Sequence, residues 1–129
     1  MTYLDDFGSL IKSIGFPDIY YMGLDDSSPN GIALNPYGGA ELHNLVTMEH
    51  ELIHSDVQVF VRNQDAQTGF SQLLEIYLKI REINNTVIGD TYFGRIRAHT
   101  PPRYIGRTTA GTYQYTCDFT LLFRDYGIY

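Results

Sequence analysis

The sequence predicts an α+β fold: a mostly antiparallel sheet of about five strands, with two helices packed on one face. Three observations carry this. Thr112–Arg124 alternates strictly, with Tyr113, Tyr115, Cys117, Phe119, Leu121 and Phe123 on one face. Gln114, Thr116, Asp118, Thr120 and Arg124 occupy the other, and only Leu122 interrupts the pattern. A period of two fits a strand with one apolar and one wet face, and a helix would scatter the same residues around its axis. Second, residues 2–14 and 66–83 instead repeat apolar side chains at three- and four-residue spacing, as amphipathic helices do. Third, the β-branched run Asp56–Arg62 leads almost directly into the second of those helices.

The elements follow in order. Residues 2–14 form a helix with Thr2 as N-cap, Asp5 in the first turn, and Tyr3, Leu4, Phe7, Leu10, Ile11 and Ile14 as the apolar stripe. Gly15 ends it as a left-handed cap, with Pro17 just beyond. Asp18–Gly23 is a strand, Asp25–Gly31 a turn, Gly31–Asn35 a short strand, and Pro36–Gly39 a break. Residues 40–55 read as an irregular connection with room for one helical turn. In Asp56–Arg62, Val57, Val59 and Val61 alternate with Gln58, Phe60 and Arg62. Asn63–Asp65 ends that strand and caps the helix over 66–83, whose core face is Phe70, Leu73, Leu74, Tyr77, Leu78, Ile80 and Ile83. Glu75 and Lys79 stand at a favourable i, i+4 spacing, and Asn84–Asn85 ends the helix. Tyr92–His99 is a strand with Tyr92, Gly94, Ile96 and Ala98 on one face and Phe93, Arg95, Arg97 and His99 on the other. Thr100–Gly111 is a loop before the closing strand.

With 129 residues, 43% hydrophobic and 19% charged, the chain has the size and composition of one globular domain spanning 1–129. Its 9 basic and 15 acidic side chains give a net charge of −6, which argues against non-specific nucleic-acid binding. The single Cys117 falls on the apolar face of the last strand and reads as a small buried hydrophobe. No secretory leader and no apolar run of membrane-spanning length is visible, so no membrane association is expected. Tyrosine occurs 11 times and tryptophan never, which favours a protein-binding surface.

One catalytic motif is present. His50-Glu51-Leu52-Ile53-His54 matches H-E-x-x-H, in which two histidines one helical turn apart hold zinc while the glutamate activates a bound water. This defines the alternative reading, a small zinc-dependent hydrolase or metallopeptidase. Strand-like alternation begins at Val57, too close to His54 for a stable helix, and Gly38, Gly39 and Asn44 limit its length upstream. The third-ligand candidates His43, Glu75 and His99 sit in no recognisable context. The favoured expectation is no metal and no cofactor. Ser55 and Asp56 beside His54 do not make a nucleophile site, because neighbours on a strand point to opposite faces. The arginines Arg95, Arg97, Arg103 and Arg107 cluster around the last hairpin. In an acidic chain they suit a protein interface better than nucleic acid.

The order of features carries a family resemblance. A short helix is followed by Pro17-Asp-Ile-Tyr-Tyr21, then Ser28-Pro-Asn-Gly-Ile-Ala-Leu34 and the Gly38-Gly39 pair. Val57-Gln-Val-Phe-Val-Arg62 runs into the long helix, and Gly106-Arg107 through Tyr113-Gln-Tyr-Thr-Cys-Asp-Phe119 closes the chain. This pattern, over residues 5–125, resembles the bacteriophage minor capsid or tail-completion proteins, meaning tail terminators and head–tail joining proteins. The segment around His50–His54 is outside the pattern. The resemblance implies a structural virion protein of a long-tailed phage, without catalytic residues, assembled in the host cytoplasm and located in the tail or neck. It implies a homo-oligomeric ring, often hexameric, that ends the tail tube and contacts the tube protein and head connector. The first choice for the assembly surface is Thr100–Gly111 with Arg103, Tyr104 and Arg107, joined by Arg95 and Arg97, and the second is Gly38–Ile53.

Overall fold

The computed structural model describes residues 3–24, 28–41 and 53–125. Its elements are α1 (Tyr3–Ser13), β1 (Ile19–Tyr21), β2 (Gly31–Glu41), β3 (Ile53–Asn63), α2 (Ala66–Ile80), β4 (Asn84–Ile88), β5 (Thr91–Arg107) and β6 (Tyr113–Asp125). The strands form one curled sheet in the order β1-β2-β3-β6-β5-β4. All pairings are antiparallel except β1 with β2. The fold class is thus α+β as expected, with six strands in place of five.

Both helices cover the same sheet face. Leu4, Phe7, Leu10 and Ile11 of α1 and Leu73, Ile76 and Ile80 of α2 pack on Val57, Val59, Val61, Phe93, Ile96 and the apolar row of β6. At the centre, Phe119 meets Phe7 edge-on at 6.0 Å and Tyr77 at 6.5 Å between ring centroids. Gly15 takes the left-handed conformation (φ 114°) that ends α1. Asp65 caps α2, its Oδ2 accepting from the Thr68 backbone N–H at 2.8 Å and from the Thr68 hydroxyl at 2.6 Å. Across the interface the Tyr115 hydroxyl donates to the Ala66 carbonyl at 2.9 Å, fixing the start of α2 on β6.

The differences from the sequence reading have physical causes. β2 runs through Pro36-Tyr37-Gly38-Gly39 with a register shift at Pro36/Gly38, because β1 covers only Ile32–Leu34 and an open border tolerates a residue without an N–H. β3 starts at Ile53, so residues 53–55 are strand and not irregular connection; 42–52 and Thr2 lie outside the described residues. α2 stops at Ile80, with Phe70 and Leu78 exposed and Ile76 buried in their place. Asn84–Asn85 opens β4 and is not a terminator. A register shift between Phe93 and Arg95 reverses the expected faces of β5 upstream of it: Phe93 is buried beside Ile96. Finally, Thr100–Arg107 is strand, not loop; three further register shifts accommodate His99, Pro101–Pro102 and Ile105.

Candidate functional site

β5 is chemically unlike the rest of the chain. Over Thr91–Arg107 it carries four arginines and His99 and no carboxylate, in a protein of net charge −6. β4 pairs with it only as far as Arg95, and the Ile96 N–H reaches the Ile83 carbonyl at 2.9 Å. Beyond that point no strand among the described residues pairs with its outer side, so the Arg97–Arg107 stretch is a sheet border.

The structure divides the five expected contact residues into three groups. Arg95 and Arg97 lie opposite Leu122 and Thr120 on the sheet face away from the helices. With His54 they line a depression of about 210 Å³. Arg103 is on the same face further along, with its Nη1 2.9 Å from the Thr100 hydroxyl and 3.5 Å from Asp118 Oδ2. Thr100 also donates to that carboxylate at 2.9 Å. Tyr104 and Arg107 emerge on the helix side. The Tyr104 ring lies 5.6 Å from that of Tyr115, and the Arg107 guanidinium sits 4.7 Å over the Tyr113 ring. Arg107 Nη2 also donates to the Gly111 carbonyl at 3.5 Å. Tyr104 is 53% exposed and its neighbour Ile105 47%.

His54 belongs to this outer face. Its Nε2 lies 3.0 Å from Asp56 Oδ1, which also accepts from the Thr120 hydroxyl at 2.8 Å. Burial raises the Asp56 carboxyl, but the hydrogen bonds from Thr120 and His54 outweigh it and hold the group below its ordinary value. Ser55 points the opposite way, to the Tyr3 hydroxyl at 2.8 Å, as alternation on a strand requires.

The zinc reading loses its geometry here. His54 is in an extended strand, so it cannot complete a helical H-E-x-x-H; His50 and Glu51 lie outside the described residues. Of the proposed third ligands, Glu75 is on α2 across the sheet and 3.7 Å from Lys79, while His43 lies outside the described residues. Among the described residues no three His, Cys, Asp or Glu side chains converge as a metal would require.

Sequence reasoning missed a groove of about 450 Å³ between the end of α1 and the first turns of α2. Phe16, Asp65, Gln72 and Glu75 line it, and Asp18 lines the adjoining hollow beside β1. Neither lining contains a lysine or arginine. No local motif announces this groove, because three separate segments build it.

No curated protein shows significant similarity to the chain. A family model described as bacteriophage tail terminator protein matches residues 3–124, which takes in every element of the fold almost to the end of β6. With a small α+β body, a charged sheet border and a family match of that extent, this chain belongs to the bacteriophage tail terminator family and is a structural protein of the phage tail.

Proposed function

We propose that residues 1–129 act as one domain and form the subunit of a homo-oligomeric, hexameric ring at the head-proximal end of the tail. The ring ends polymerisation of the tail tube and joins the tail to the head connector. Arg103, Tyr104 and Arg107, with Arg95 and Arg97 on the same strand, supply the contact surface toward a neighbouring copy, the tube protein or the connector. The observation that carries this reading is the open border of β5, where arginines and exposed apolar side chains coincide. A contact between two different patches of identical subunits closes into a ring when the rotation closes, so one such border per subunit suffices. No reaction is assigned to the protein.

The test is a phage carrying Arg103→Glu and Arg107→Glu together, with the purified variant checked for an unchanged thermal transition. Tail or virion joining is expected to fail. Normal yields of infectious particles would remove the arginines from the contact surface. Negative-stain images of particles lacking the protein separate its two roles: overlong tails mark a terminator, and tails of normal length detached from heads mark a joiner.

A further inference from the structure

We propose that the Arg103–Arg107 end of β5 in one copy seats against the acidic corner formed by Asp18, Asp65 and Glu75 in the next copy. The inference rests on the reading of Arg103 and Arg107 as contact residues and names their partner as a second copy of this chain. Three observations carry it.

The first is position. Gly31 in β2 pairs with Arg62, Arg62 with Gln114, and Gln114 with Gly106, so these four residues lie in one row across the sheet. β1 adds Ile19 beside Ile32 at the same end. Asp18 and Arg107 therefore stand at the same end of the sheet on opposite borders. A rotation that repeats the subunit side by side brings one border to the other, which is the head-to-tail contact that a closed ring needs.

The second is charge. β5 holds four of the nine basic residues and no acid, so the remainder of the chain has five basic residues against 15 acidic ones. A two-fold contact of β5 with β5 would set arginines against arginines, whereas contact with another region of the same chain meets an excess of carboxylates. Among the described residues the linings of the groove and the hollow contain no lysine or arginine beside Asp18 and Asp65, while Glu75 has Lys79 at 3.7 Å on its exposed side of α2. Arg103 and Arg107 each commit only part of their five N–H donors within the subunit.

The third is apolar match. Tyr104 and Ile105 are exposed at the basic corner, and the exposed Tyr20 lies near Gly31, which lines the hollow with Asp18. Aromatic and apolar anchors surrounded by complementary charge are the composition of an interface core and rim.

The experiment compares three versions of the gene in the phage: Arg103→Glu with Arg107→Glu, Asp18→Arg with Glu75→Arg, and all four changes together. Asp65 is left intact because it caps α2. Opposed like charges cost several kcal/mol, so each pair alone is expected to lower the yield of infectious particles by at least about 100-fold. The four-fold variant is expected to recover to within about tenfold of the original, because the reversed charges meet again. A fold defect at one corner would not be rescued by changes at the other. A four-fold variant no better than the weaker pair overturns the proposal. Normal yield from the acidic-corner pair, with loss from the arginine pair, also overturns it and leaves the arginines facing a different tail or head protein. Normal yield from the arginine pair removes both this inference and the reading it rests on.

Discussion

The Thr91 hydroxyl donates a 2.6 Å hydrogen bond to the Asp6 carboxylate, and the two residues are 0% and 1% exposed. The bond spans 85 positions of sequence and ties the first turn of α1 to the start of β5. Gly89, at φ 58°, leaves room for that carboxylate, since a Cβ there would collide with Asp6 Oδ1. Thr91→Val keeps the shape and removes the donor, leaving a buried carboxylate short of a partner. The expected cost is roughly 1.5–3 kcal/mol, the range for hydrogen bonds to charged groups. Urea unfolding should show a lower midpoint with an unchanged slope, while Thr91→Ser should stay close to the original. An unshifted midpoint in Thr91→Val would mean the bond contributes nothing.

Asp56 makes stability depend on acid. Its carboxyl titrates below the ordinary 3.8 in the folded chain, because the hydrogen bonds from Thr120 and His54 prevail over the opposing effect of burial. A group whose folded value is depressed binds its proton more readily when unfolded. Its stabilisation is therefore complete above about pH 4 and drains away as pH falls through the lower folded value. Asp56→Asn should flatten the fall in unfolding midpoint over that acid range. An equally steep fall in the variant would assign the dependence to other carboxylates.

Cys117 should be inert until the fold opens. It is fully buried, and burial, with Asp118 adding to it, pushes the thiol up to about 12. Relative to its ordinary 9.0 that lowers the reactive thiolate fraction at neutral pH on the order of 1000-fold. Intact-mass measurement after iodoacetamide treatment should show no adduct in native buffer and a single adduct in guanidinium chloride. Rapid native alkylation would contradict the burial.

Much of this was legible from residue pattern alone. The strict alternation of β6 and the valine row of β3 identified the two central strands, whose buried faces admit no other reading. The stripe of α1 and the Asp65 cap of α2 were equally plain. Apart from the end and core face of α2, the misreadings fall at the sheet borders, where neighbours constrain the sequence less. β4 hid because only part of it packs, although Gly89–Asp90 between Ile88 and Thr91 is a two-residue hairpin signal. The faces of β5 reversed because one extra residue at Gly94 changes the phase of a period-two pattern, and no composition rule places such an insertion. The arginine cluster was visible as residues, but its division between two sheet faces depends on those same shifts. The acidic groove needed three distant segments in one place, which only the folded chain provides.

Among the described residues, the stretches of β2 and β5 left without an outer partner carry prolines: Pro36 on β2, and Pro101 and Pro102 on β5. Proline has no main-chain N–H to donate, which makes these stretches poorer templates for another strand. Backbone-to-backbone zipping into fibres is disfavoured at such borders. Contacts at these borders are thereby left to side chains, which is where the arrangement proposed above places them.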